Sequence, residues 1–220
     1  MIKISVALVT LIVATVGSVS PASAQLNQIW GQRNKELSGY AGANSFITYN
    51  PPATAKIGSW SSALTAVTYL TKLTFIEAGA TKDCTYDCKV HPYASWADIN
   101  GLQDEAVDYT TTLVDGTQYE YEVDYVGNNQ WRALWCHVGY SCSTLALENL
   151  GTGKGMPYVL SGGESTTYYP IGTLTTTSNQ YRMAGSTTFT PWCYTNTTNN
   201  TGTGTISACN TTRQEWTVKY

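Results

Sequence analysis

Two glutamates differ from the other acidic residues of this sequence in what surrounds them. Glu77 follows an apolar segment in 75–79 (FIEAG), and Glu164 closes the segment 160–164 (LSGGE). An acid in apolar surroundings resists ionisation, because desolvation disfavours its charged form. Two such acids close together would share one proton, so that one could activate water while the other donates a proton. The simpler interpretation is that both are solvent-exposed glutamates on strands.

Other catalytic groups are poorly represented. The chain has only two histidines, His91 and His137, and it lacks the Gly-x-Ser-x-Gly turn that presents a nucleophilic serine. Ser141 is near His137 in the sequence but stands between aromatic and cysteine neighbours, which disfavours a Ser-His-Asp triad. The sequence contains no HExxH or EF-hand pattern. We therefore expect neither a metal site nor a cofactor.

The six cysteines form three pairs of near neighbours in the sequence. An even number of cysteines in an exported chain favours disulfides over metal ligation. Six cysteines allow fifteen pairings. Proximity favours three local bridges, which join Cys84 to Cys88, Cys136 to Cys142, and Cys193 to Cys209.

The N-terminus predicts export. Lys3 precedes an unbroken apolar run over residues 4–16, and small residues lead to an Ala-x-Ala cleavage site at 22–24. The run is too short to cross about 30 Å of hydrocarbon. We interpret residues 1–24 as a signal peptide and expect a secreted, extracellular protein that leaves the membrane after cleavage. The remaining chain is long enough for one domain and short for two.

The composition excludes several classes of partner. The net charge is −3, and only 12% of the residues are charged, with both signs scattered along the chain. Because no basic patch is present, we expect no nucleic-acid partner. We expect a monomer.

Strand patterns dominate the chain and helical periodicity is nearly absent. Alternating or β-branched segments occur at 43–49, 66–77, 106–114, 117–126 and 130–138, with shorter candidates up to residue 219. Asp115-Gly116 predicts a two-residue hairpin between the third and fourth of these segments. The pattern predicts a single-domain antiparallel β-sandwich over 41–220, preceded by a polar N-terminal arm over 25–40.

One predicted strand carries an acidic face. Side chains alternate along a strand, so Glu120, Glu122 and Asp124 share one face, and Tyr119, Tyr121 and Val123 share the other. Unpaired carboxylates are too costly to bury in a dry core. We expect this face to be solvated or to line a wet cleft.

Four short motifs resemble the neprosin family of glutamic peptidases. In chain order they are the Gly-Ala start and Asn-Pro end of 42–51, Ile-Glu-Ala-Gly at 76–79, Gly-Asn-Asn-Gln-Trp at 127–131 and Gly-Gly-Glu at 162–164. The second and fourth motifs carry the two catalytic acids of that family. The related fungal glutamic peptidases resemble this chain in their sandwich but have glutamine where this chain has Glu77.

The resemblance implies a concanavalin-like fold of two antiparallel sheets with Glu77 and Glu164 on the concave face. It implies endopeptidase activity on a peptide or protein substrate at acidic pH, with cleavage after proline. One glutamate would be the general base and the other the acid, and the resemblance does not decide which. We further predict that Trp131, Trp135 and the stripe containing Glu122 and Asp124 form the wall of the substrate cleft.

Two alternatives remain open at the level of sequence. The same sandwich hosts lectins and glycoside hydrolases, the seven Trp and sixteen Tyr offer stacking platforms for sugars, and two carboxyl groups can also attack a glycosidic bond. The chain could also be a peptidase-like binding module without activity. The position of Glu77 relative to Glu164 discriminates among these hypotheses.

Overall fold

The computed structural model describes residues 26–34, 39–53, 57–69, 74–166 and 169–220. The predicted signal peptide lies outside these residues. Within the described ranges the chain forms strands, and none of its segments is a helix that could cross a membrane. The strands, in chain order, are β1 (Asn27–Asn34), β2 (Tyr40–Asn50), β3 (Trp60–Tyr69), β4 (Thr74–Asp83), β5 (Val90–Ala97), β6 (Gln103–Val107), β7 (Gln118–Gly127), β8 (Gln130–His137), β9 (Cys142–Asn149), β10 (Tyr158–Ser165), β11 (Thr173–Met183), β12 (Phe189–Pro191), β13 (Asn196–Asn199), β14 (Thr205–Ile206) and β15 (Trp216–Lys219).

These strands form two antiparallel sheets that pack as a sandwich, which confirms the predicted fold class. The seven-stranded sheet has the order β13-β1-β10-β3-β4-β5-β6. The eight-stranded sheet has the order β14-β15-β11-β2-β7-β8-β9, and β12 pairs with β11. Strands that are distant in sequence, such as β1 and β10, are therefore neighbours in space.

The main core fills the space between the sheets. Alternate residues of each strand enter it, as Ile76 and Ala78 of β4 and Tyr121 and Val123 of β7 illustrate. A second apolar cluster covers the outer face of the seven-stranded sheet and contains Trp30, Leu64, Ala66, Tyr93 and Leu160. The central strand β3 is consequently buried on both faces, which explains its continuous run of small and apolar residues.

All three predicted disulfides are present with the predicted pairings. Cys84 is bonded to Cys88, Cys136 to Cys142, and Cys193 to Cys209. Each bridge closes a short local segment, which is why proximity in the sequence was a sufficient guide. No cysteine in the described ranges is free.

The predicted N-terminal arm over 25–40 contains the strand β1. β1 (Asn27–Asn34) pairs with β10 along eight positions and with β13 on its other side. The domain boundary predicted at residue 41 is therefore too late. Polar residues on both faces of β1 obscured the alternation: Gln28, Gln32 and Asn34 share the outer face with Trp30, while Asn27 and Arg33 share the inner face with Ile29.

Two predicted strand arrangements are also wrong. The segment 66–77 contains the end of β3 and the start of β4, which pair with each other, and β-branched residues at both strand ends made the segment resemble a single strand. Asp115-Gly116 does form a turn, with Gly116 at φ 74°. It joins no hairpin, however, because β6 and β7 lie in different sheets.

Candidate active site

Glu77 and Glu164 lie on the same outer face of the seven-stranded sheet. Glu77 is in β4, Glu164 is in β10, and β3 lies between them. Glu77 pairs with Ala66 of β3, and Glu164 pairs with Ser62. The two glutamates are thus two strands apart and four residues offset along β3.

A row of glycines and aromatic residues separates the two glutamates. Gly162, Leu64 and Gly79 are cross-strand neighbours in the middle of the sheet. Trp30 pairs with Gly162 on one side, and Tyr93 pairs with Gly79 on the other. Both aromatic side chains are nearly buried, with 6% and 4% of their surface exposed.

The glycines of the two motifs provide the space for these aromatic residues. A Cβ at position 79 would overlap the Ala63 carbonyl oxygen and lie 2.9 Å from both the Tyr93 ring and Leu64 Cα, and a Cβ at position 162 would overlap the Ile29 carbonyl oxygen and lie 2.5 Å from Trp30 Cα. Real Cβ atoms do not approach that closely without displacing their neighbours. The glycines two residues from each glutamate are therefore required by packing across the sheet.

Replacing Gly79 with Ala is expected to destabilise the protein by about 1–3 kcal/mol, the usual cost of overpacking a close-packed region. The added methyl group must displace the Tyr93 ring, so the geometry at Glu77 should change as well. Thermal unfolding measures the loss. The matched control is Gly42→Ala on the other sheet, where the nearest atom to the new Cβ is 3.0 Å away and a smaller effect is expected. Equal stability of both variants would contradict the packing argument.

Glu77 is the more enclosed of the two acids. Its side chain is 9% exposed, and the Tyr93 hydroxyl donates a hydrogen bond to its Oε1 at 3.1 Å. Burial, followed by the negative charge of Glu164, raises the pKa of Glu77 well above its usual range. The hydrogen bond from Tyr93 opposes this shift because it stabilises the carboxylate. The net effect favours a protonated Glu77.

Glu164 is partly exposed and has a neighbouring amide donor. Burial raises the pKa of Glu164 to about 7, and a hydrogen bond from the Gln28 side chain opposes the shift. Gln28 is the cross-strand neighbour of Glu164 on β1. Each glutamate thus has one hydrogen-bond donor, and the greater exposure of Glu164 makes its charged form the less costly of the two. One acid and one base therefore coexist on this face over a range of pH.

No cation in the described part of the chain forms an ion pair with either glutamate; the ion pairs found there involve Asp87, Asp124 and Glu215. Glu105 of β6 adds a further negative charge that raises the pKa of Glu77. Glu77 and Glu164 consequently differ from structural salt-bridge residues, whose charged forms are stabilised by a partner. This combination of burial and like charge is typical of catalytic carboxyl groups.

The other candidate nucleophilic groups do not form a site. His91 is fully buried, with Nδ1 at 2.7 Å from the Thr111 carbonyl and Nε2 at 3.0 Å from Asp87. Both ring nitrogens are thus occupied by structural contacts. Among the described residues, no group of three His, Cys, Asp or Glu could hold a metal ion.

The tryptophans that were predicted to line the cleft face the inter-sheet core instead. Trp131 is completely buried, and its Nε1 donates to Thr152 Oγ1 and the Gly153 carbonyl at 3.1 Å each. Trp135 packs against the same core. The predicted cleft role of both residues is wrong, because their strand β8 belongs to the other sheet.

Glu122 and Asp124 also lie far from Glu77 and Glu164. They point outward from β7, on the opposite surface of the sandwich. Asp124 accepts a bidentate hydrogen-bond pair from Arg132 at 3.0 and 3.1 Å and also contacts Arg182. Glu122 accepts a hydrogen bond from Asn44. The face is polar, as predicted, but it is a separate surface and not part of the cleft.

Several residues of the site were not identified from the sequence. Trp30 and Gln28 were assigned to the arm, while Tyr93 and Ser62 belong to strands without a recognisable motif. The spacing of Gly79 and Gly162, each two residues from a glutamate on the same strand face, was the available signal. It indicates a bulky neighbour on the adjacent strand, but only the strand order shows which one.

The fold and the site together define an all-β sandwich with two interacting carboxyl groups on the outer face of one sheet. Two solved structures of scytalido-glutamic peptidase, both with transition-state analogues, share this fold with TM-scores of 0.60. They are 11% and 12% identical to this chain, and the match covers 90% of this chain and 100% of theirs.

A third solved structure is similar. It is SCP-B, a member of the Eqolisin family of peptidases in complex with the tripeptide Ala-Ile-His, with a TM-score of 0.56, 10% identity and the same coverage. No family model and no curated protein sequence matches the chain. At these identities the comparisons establish the fold that this chain shares with glutamic peptidases.

Proposed function

We propose that this protein is a secreted glutamic endopeptidase in which Glu164 is the general base and Glu77 the general acid. The single observation that carries the proposal is the placement of these two carboxyl groups on one sheet face, close enough to interact electrostatically and without a neutralising cation. Fold similarity to glutamic peptidases adds support. The three disulfides are consistent with secretion.

The two roles follow from the environments of the acids. Glu164 is ionised first and accepts a proton from a water molecule, whose oxygen attacks the scissile carbonyl carbon. The protonated Glu77 donates a hydrogen bond to the carbonyl oxygen and so stabilises the negative charge that develops there. When the tetrahedral intermediate collapses, the C–N bond breaks and Glu164 returns the proton to the leaving amine. Both glutamates then regain their starting states.

A preference for cleavage after proline is part of the same proposal. The four motifs resemble the neprosin family, which implies cleavage after proline. In this arrangement the peptide crosses the sheet between Glu77 and Glu164, over the apolar row that contains Leu64. A flat apolar floor suits a proline ring, which presents no backbone N–H to be satisfied.

Activity is expected to follow a bell-shaped dependence on pH. Hydrolysis requires Glu164 ionised and Glu77 protonated, so it rises through the pKa of Glu164 and falls through that of Glu77. Both pKa values are raised above the ordinary glutamate value of about 4.3. We therefore expect an optimum closer to neutral pH than the resemblance implies.

The test is digestion of a proline-containing peptide mixture by the purified protein between about pH 3 and 9, with cleavage sites mapped by mass spectrometry. Internal cleavage after proline with a bell-shaped profile supports the proposal. Cleavage at other residues would contradict the proline preference but not the endopeptidase activity. If no peptide is cleaved at any pH, while polysaccharides are bound or hydrolysed, the glycan-directed alternative replaces it.

A further inference from the structure

Tyr93 occupies a position between the two glutamates that the mechanism above does not use. It lies on β5, opposite Gly79 of β4. Its ring passes over that glycine and packs with Leu64 of β3 in the outer apolar cluster. Because Tyr93 is 4% exposed and its ring packs against these neighbours, its hydroxyl has little freedom to move.

The Tyr93 hydroxyl contacts groups from both halves of the site. It donates to Oε1 of Glu77 at 3.1 Å. The buried Ser62 hydroxyl is close enough to influence the ionisation of the phenol and makes no hydrogen bond of its own. Ser62 is itself the cross-strand neighbour of Glu164. The phenol thus connects the surroundings of the two acids.

This hydroxyl remains a donor under all conditions in which the site can work. Burial, followed by the negative charges of Glu77 and Glu164, raises the pKa of Tyr93 well above its usual range. A phenol that keeps its proton donates to Oε1 of Glu77. When Glu77 is protonated, its own proton is therefore placed on the other oxygen, Oε2.

We propose that Tyr93 is a positioning residue that fixes the proton of Glu77 on Oε2 and aims this acid at the substrate carbonyl. The inference rests on the proposed function and deepens it, because it explains how one of two equivalent carboxyl oxygens becomes the donor. The charged groups that face Glu77 are Glu164 from β10 and Glu105 from β6. The neighbouring residues of β3 are uncharged.

The test compares Tyr93→Phe with Tyr121→Phe. The first variant keeps the ring over Gly79 and removes only the hydroxyl. Tyr121 is a matched control, since it is equally buried, lies in the core of the sandwich and has a hydroxyl without a hydrogen-bond partner. Thermal unfolding of both variants reports any purely structural loss.

For Tyr93→Phe we expect kcat to fall about 3- to 10-fold, the effect of losing one hydrogen bond to a neutral reacting group and a smaller effect than replacing Glu77 itself, with KM changed less than about twofold. The lost donor no longer stabilises ionised Glu77, so the alkaline limb of the pH profile should move to higher pH. Tyr121→Phe should leave kcat and both limbs in place. A fall in kcat without movement of the alkaline limb would overturn the positioning role.

A second measurement does not depend on activity. The ionisation of Glu77, followed by NMR of carboxyl-labelled protein, should move to higher pH in Tyr93→Phe and stay in place in Tyr121→Phe. If the wild-type protein cleaves peptides but this ionisation is unchanged by Tyr93→Phe, only the role of Tyr93 fails. If the wild-type protein cleaves no peptide, the proposed function fails and the positioning role fails with it.

Discussion

Replacing Glu164 with Gln is expected to lower peptide hydrolysis at least about 1000-fold, while Glu77→Gln should cost only about 10- to 100-fold. General acid–base groups typically contribute about 10²–10⁴-fold. An amide cannot take a proton from water, so the general base at position 164 has no substitute. An amide at position 77 still has an N–H group that can donate to the substrate carbonyl, and part of the stabilisation survives.

The pH profiles of these variants test which glutamate is the general acid and which is the general base. Glu77→Gln removes the group whose ionisation ends activity, so the alkaline limb should disappear while the acid limb remains. Because the two glutamates act as a unit, the double variant should be no slower than Glu164→Gln alone. Initial rates on one proline-containing peptide measure all three.

Glu122→Gln is the matched control for these measurements. Glu122 is also a strand glutamate with a pKa raised by burial, but it lies on the opposite surface of the sandwich, and its substitution should leave the rate unchanged. Equal losses in the variants of Glu77 and Glu164 would reject the assigned roles. Full activity in Glu164→Gln would reject the dyad.

Glu164→Gln is also expected to stabilise the protein at neutral pH by roughly 1–3 kcal/mol, at about 1.4 kcal/mol per unit of pKa shift. The folded-state pKa of Glu164 is raised above the unfolded value. The wild-type protein is therefore most stable below the unfolded pKa and loses stability as pH rises through the folded one. Glu164→Gln lacks this loss, so its advantage should be absent near pH 4 and largest near pH 8.

Thermal unfolding across this range measures the difference, with about 2–4 °C expected for each kcal/mol in a protein of this size. Asp108→Asn is the control with the opposite sign. Hydrogen bonds from Thr110 and Thr111 lower the pKa of Asp108, so removing its charge should reduce stability at neutral pH. A Glu164→Gln variant that is less stable than the wild-type protein at pH 8 would show that the carboxylate is well solvated or paired.

If Glu164→Gln both loses activity and gains stability, the carboxyl groups of the site lower the stability of the folded protein. Such a cost is expected where buried groups are retained for chemistry and not for folding. The acidic face of β7 provides the contrast, since Asp124 is paired with two arginines. Burial alone does not distinguish the two faces. The presence or absence of a cation does.

The class of fold, the disulfide pairs and the two candidate acids can be predicted from the sequence alone. Alternating strands and turn residues are local properties, and each bridge spans few residues, so these features need no knowledge of distant contacts. The unusual setting of Glu77 and Glu164 was also visible in their immediate neighbours. The motifs then identified the same two residues independently.

The sheet face that each residue occupies, and its neighbours across the sheet, follow only from the order of the strands in the folded protein. Trp131 and Glu122 are residue types that suit a cleft, but the tryptophans of β8 face the core and β7 belongs to the other sheet. Tyr93 reaches Glu77 because β5 lies beside β4, and Gln28 reaches Glu164 because β1 lies beside β10. In the second case a residue near the start of the chain meets one far along it. Strand order depends on long-range pairing, which local alternation does not encode.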